Sequence, residues 1–109
     1  MSDAHELTPT EFRRRWPDPQ DEVVLLDVRE PDELARARLP EALHIPMREV
    51  PGRMGELPQD KTIVVMCHIG GRGARVTQYL LANGFERVFN LRGGIDAWSQ
   101  EIDQSVPRY

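Results

Sequence analysis

The sequence predicts an α/β domain, with a mainly parallel central sheet and helices on both faces. Two observations carry this. Val23-Val24-Leu25-Leu26-Asp27-Val28 and Thr62-Ile63-Val64-Val65-Met66 are apolar runs without polar alternation. Such runs suit strands buried on both faces of a parallel sheet. Around them, segments with helical spacing, caps and stops alternate with the strands over short crossovers. The chain has 109 residues, 39% hydrophobic and 29% charged, which supports one globular domain. A core over about residues 7–102 and a tail over 103–109 are expected.

Each element has a local reason. Thr8-Pro9-Thr10-Glu11 combines a capping-box pattern with proline at the first helical position. It predicts a helix over about Pro9 to Arg15, ended by Trp16-Pro17, with a loop through Asp21. After the first buried run, Pro31 to Ala37 reads as a short helix with Glu30 near its cap. Ala42 to Ile45 is a short strand stopped by Pro46. Met47 to Leu57 reads as helical turns interrupted by Pro51, Gly52 and Gly55. The second buried run delivers the chain to Cys67. Val76, Tyr79, Leu80 and Asn83 fall at helical spacing, so Ala74 to Asn83 is the longest predicted helix, stopped by Asn83-Gly84. Arg87 to Leu91 is a last strand, and Gly93-Gly94 turns it into a helix over about Ile95 to Ile102. The tail, Asp103 to Tyr109, reads as extended.

Composition excludes several function classes. The net charge is −4, so the broad basic surface needed for sequence-independent nucleic-acid binding is missing. No apolar run approaches a membrane span, and the polar start Met1-Ser2-Asp3-Ala4-His5-Glu6 has no signal-peptide core. A cytoplasmic protein is therefore expected, with no membrane partner. Cys67 is the one cysteine, which rules out an internal disulfide and a metal site of several thiolates. No metal and no cofactor are expected. Thirteen of the 14 basic residues are arginine, and Lys61 is the one lysine.

In open α/β sheets, ligands sit beyond the carboxyl ends of the strands. That places the candidate site where Thr62–Met66 ends. The next residues are Cys67-His68-Ile69-Gly70-Gly71-Arg72-Gly73. Glycines let successive N–H groups curl inward as an anion nest, and the following helix N-terminus adds partial positive charge. Arg72 closes the loop with a full charge. All three favour Cys67 as a thiolate, and the same nest would hold an anionic sulfur adduct on it. Cys67 is the candidate nucleophile, and His68, Ile69, Gly70, Gly71, Arg72 and Gly73 are the candidate binding loop. Asp27 and Arg29, at the end of the first buried strand, are candidates to tune the site's field, against a plain structural ion pair. His44 and Trp98 read as structural.

These segments resemble the rhodanese family of sulfurtransferases over about Leu7 to Ser99. Leu25-Leu26-Asp27-Val28-Arg29-Glu30-Pro31-Asp32-Glu33 is similar to the family's first-strand motif, and Cys67 to Arg72 is similar to its C-x-x-G-x-R loop. Leu91-Arg92-Gly93-Gly94-Ile95-Asp96-Ala97-Trp98 is similar to its closing motif. Ala37-Arg38-Leu39-Pro40-Glu41-Ala42 departs from the usual Gly-His-Ile-Pro-Gly-Ala. The resemblance implies a single rhodanese-like domain that moves sulfane sulfur through a Cys67 persulfide. The donor would be thiosulfate or another persulfide. The acceptor would be cyanide, a thiol or a sulfur-carrier protein. The end of the chain is similar to rhodanese-like domains fused to E1-like adenylyltransferases. That implies service to a ubiquitin-like sulfur carrier in molybdopterin or thiamine synthesis. Two rivals stand beside this reading. A cysteine phosphatase resembles C-x5-R, whereas four residues separate Cys67 from Arg72 here. A non-catalytic rhodanese-like binding module typically lacks the cysteine.

Overall fold

The computed structural model describes residues 5–18 and 22–109, so the end of the expected loop, residues 19–21, lies outside them. Five parallel strands form one sheet. They are β1 (Glu6–Leu7), β2 (Val23–Asp27), β3 (Leu43–His44), β4 (Thr62–Met66) and β5 (Val88–Leu91), in the order β1-β5-β4-β2-β3. The two apolar runs are adjacent, with Val23 beside Thr62 and Asp27 beside Met66. All five residues of β4 are buried, as its unalternating sequence requires.

The side chains of the sheet divide between two cores. Val23, Leu25, Val64 and Met66 pack with Phe12, Trp16, Ile95 and Trp98 on one face. Leu26, Ile63, Val65 and Cys67 pack with Val50, Val76 and Leu80 on the other. Helices α1 (Pro9–Arg15) and α5 (Gly94–Glu101) supply the first face; α3 (Val50–Arg53) and α4 (Gly71–Ala82) supply the second. The expected two-faced parallel architecture is the one observed. The capping box of α1 also forms: Glu11 N donates to Thr8 Oγ1 at 3.1 Å and Thr8 N to Glu11 Oε1 at 2.8 Å.

Four local expectations need correction. Strand β1 was not expected; it is two residues at the sheet edge, too short to leave a period. Helix α2 stops after Pro31–Leu34 instead of reaching Ala37, ahead of Pro40. Helix α4 begins at Gly71, three residues before the expected Ala74, because its first turn is glycine-rich and reads as loop. The tail is not extended. Val106 N donates to Asp103 O at 3.1 Å, Ser99 Oγ donates to Val106 O at 2.6 Å, and Val106 is buried in the first core. That turn brings Tyr109 back toward the strand ends.

Candidate active site

Strand β4 ends at Met66 and releases Cys67 directly beneath α4. Cys67 is 1% exposed, and its Sγ accepts N–H bonds from Gly70 at 3.0 Å and Gly73 at 3.2 Å. Gly73 lies in the first turn of α4, where the amide nitrogens have no intrahelical partner. The helix start that the sequence hid is therefore the part that meets the sulfur. Gly70 caps the helix at φ +132°, a backbone value that glycine tolerates and side-chain-bearing residues rarely adopt. Gly71 is the exposed first residue of α4, and Ile69 is 64% exposed at the loop tip.

Other elements hold the loop from below. Ile95 N donates to Cys67 O at 2.9 Å and Asp96 N to His68 O at 3.1 Å, so the first amides of α5 satisfy the loop's carbonyls. A Cβ at Gly94, whose φ is +61°, would overlap those same two carbonyls. This is the structural content of the Gly93-Gly94 motif. From β5, Asn90 Nδ2 donates to Gly70 O at 3.1 Å and Glu6 Oε2 at 3.2 Å. Asn90 carried no signal in the sequence beyond its place in a predicted strand.

Arg72 lies in the first turn of α4, and its side-chain partner was not visible in the sequence. Its guanidinium forks onto Glu33 of α2, Nη1 to Oε1 at 2.5 Å and Nη2 to Oε2 at 2.8 Å. The Glu33 hydrogen bond raises the Arg72 pKa. The Arg72 fork, with the Glu30 N–H, holds the Glu33 carboxyl down at about 2. Asp27 and Arg29 form a fully buried pair, Nη2 to Oδ2 at 2.8 Å. Arg29 Nη1 reaches on to the Tyr109 hydroxyl at 3.0 Å, and that hydroxyl donates to Glu33 Oε2 at 2.8 Å. Asp27, Arg29, Tyr109, Glu33 and Arg72 thus form one continuous polar chain beside the sulfur. The ring of His68 stacks on Tyr109, with centroids 3.9 Å apart and planes 7° apart. Its Nε2 is buried with no hydrogen-bond partner among the described residues. His44 Nε2 meets Arg29 O at 2.7 Å, a structural contact, and Trp98 is core. Among the described residues no cluster could hold a metal ion, and no helix is long and apolar enough to cross a membrane.

Known proteins are similar to this chain in sequence and in fold. A protein of Allochromatium vinosum named Sulfurtransferase is 41% identical over 97 residues, covering 89% of this chain and 90% of its own. A solved Staphylococcus saprophyticus structure superposes with a TM-score of 0.78 at 32% identity, over 95% of this chain and 99% of that one. A rhodanese-like domain protein of Staphylococcus aureus superposes with a TM-score of 0.78 at 29% identity, over 95% and 97% of the two chains. The rhodanese-like domain family matches residues 8–101, from the cap of α1 to the end of α5, and the chain belongs to that family.

Proposed function

We propose that this domain is a sulfurtransferase that carries sulfane sulfur on Cys67. The observation that supports it most directly is the pair of backbone N–H donors on Sγ, at 3.0 and 3.2 Å, in a buried loop. Donors placed there favour negative charge on a sulfur, whether a thiolate or the outer atom of a persulfide. In the first half-reaction the Cys67 thiolate attacks the sulfane sulfur of thiosulfate. The S–S bond to the sulfonate breaks, sulfite leaves with the bonding pair, and Cys67 becomes a persulfide anion. In the second, an acceptor such as cyanide or a thiolate takes the outer sulfur and returns the Cys67 thiolate. No proton transfer is needed to expel sulfite, which suits a site where the loop offers N–H groups and Arg72. With no other cysteine in the chain, the persulfide must pass to another molecule.

The exposed Ile69 tip favours a protein acceptor. A carrier docked on that apolar tip would bring its thiol toward the outer sulfur on Cys67. A ubiquitin-like sulfur carrier of molybdopterin or thiamine synthesis is the acceptor class that the likeness of the chain's end supports. Mass spectrometry after thiosulfate treatment tests the sulfurtransferase reading. The protein should gain the mass of one sulfur atom, and cyanide should remove it. Cys67→Ser should show no gain and no thiosulfate:cyanide turnover while keeping its fold by circular dichroism. A gain that survives in Cys67→Ser would place the carrier elsewhere. No gain in the native protein would sink the reading.

A further inference from the structure

The mechanism above makes no use of Tyr109, yet Tyr109 touches the site at two points. Its ring covers His68, and its hydroxyl bridges Arg29 and the Glu33 carboxylate that grips Arg72. Burial raises the phenol's pKa, so the hydroxyl stays a donor at neutral pH. Tail packing does not call for these contacts. The tail is already anchored by Val106 in the core, by Ser99 Oγ on Val106 O at 2.6 Å, and by Arg108 on Asp96 at 2.9 Å. The hydroxyl contacts of Tyr109 run to the polar chain that ends on Arg72.

We propose that Tyr109 is a positioning residue for sulfur transfer, fixing Arg72 through Glu33 and the loop through His68. The proposal rests on the sulfurtransferase reading and adds a residue to it. Glu33 accepts at both oxygens from Arg72 and also from Glu30 N and the Tyr109 hydroxyl. A carboxylate with four donors is pinned, and so is the guanidinium forked onto it. An arginine held in place costs no reorganisation when charge moves onto a departing anion.

Tyr109→Phe keeps the ring and removes both hydroxyl bonds without changing any charge. Ground-state attraction for thiosulfate should therefore persist, and the loss should fall on the chemical step. With turnover normalised to Cys67 titrated by iodoacetamide, kcat should fall about 3- to 10-fold and KM should stay within about twofold. Glu33→Gln should also lower kcat. In that background Tyr109→Phe should add nothing, because the hydroxyl acts through the carboxylate. Arg108→Ala loosens the tail without touching the chain of contacts and should keep the native kcat. A donor-free readout accompanies these. The Arg72 guanidinium resonances in proton–nitrogen NMR spectra should be resolved in the native protein and in Arg108→Ala, and broadened in Tyr109→Phe. A native normalised kcat in Tyr109→Phe, losses that multiply with Glu33→Gln, or unchanged Arg72 resonances would each overturn the proposal. If the native protein takes up no sulfur while those resonances do broaden, the sulfurtransferase reading fails and the positioning of Arg72 by Tyr109 stands.

Discussion

Arg29 is the largest fully buried side chain among the described residues, at 0% exposure, and its charge is answered by Asp27 at 2.8 Å. Burying such a pair is neutral at best compared with apolar residues, but removing one partner strands the other. Asp27→Asn should therefore destabilise the fold by about 3–5 kcal/mol, read as a lower urea midpoint at unchanged slope. A loss under about 1 kcal/mol would mean that the Tyr109 hydroxyl and the Glu33 carbonyl, which Arg29 Nη1 reaches at 3.4 Å, suffice for the guanidinium. The same residues show what a sequence reveals at this scale. Asp27 and Arg29 stand out because polar residues close an apolar run. Glu33 and Tyr109 do not, because a helix-start glutamate and a terminal aromatic are ordinary anywhere. Their part arises only when residues 33, 72 and 109 meet in space, and no local period records that meeting.

Elements built from unbroken apolar runs were legible with little error; β4 spans Thr62–Met66 as its residues predict. Elements built from glycine were legible as motifs but not as structure. Gly71-Arg72-Gly73 looks like loop and is the first turn of α4, where Gly73 N reaches Sγ at 3.2 Å. Gly93-Gly94 looks like a turn and is also the contact that seats the Cys67 and His68 carbonyls on the amides of α5. That second role predicts a separation of stability from activity. Gly94→Ala must move the loop carbonyls or leave its left-handed backbone, at a cost of about 1–3 kcal/mol. Sulfur transfer should fall by more than about tenfold even where the protein remains folded, because the Sγ donors shift with the loop. Native turnover in a folded Gly94→Ala protein would show that the loop does not depend on α5.

At the scale of the whole molecule, several carboxylates are held below their ordinary range by their partners. Arg72 first, with Glu30 N–H and the Tyr109 hydroxyl, lowers Glu33 to about 2. Arg108 lowers Asp96, Arg53 lowers Glu56, and the Thr8 backbone lowers Glu11. A folded-state pKa below the unfolded value means that the unfolded chain binds more protons. The contribution is complete above the ordinary carboxylate range and fades as acid drives protons onto the folded form. Glu33 should be the last of these to yield. The urea midpoint should hold steady from about pH 7 to 6 and then fall continuously below about pH 4.5. A midpoint at about pH 3 equal to that at neutrality would contradict this linkage.

Strand β4 has one more consequence, for handling the protein rather than for its stability. Lys61, the one lysine of the chain, enters this strand and Cys67 leaves it. A buried five-residue strand is stiff, so the backbones of Lys61 and Cys67 are held about 20 Å apart at its opposite ends. Amine chemistry at Lys61 would tether the domain to a bead or carry a dye. The sulfur-bearing end of the strand would then lie away from the point of attachment.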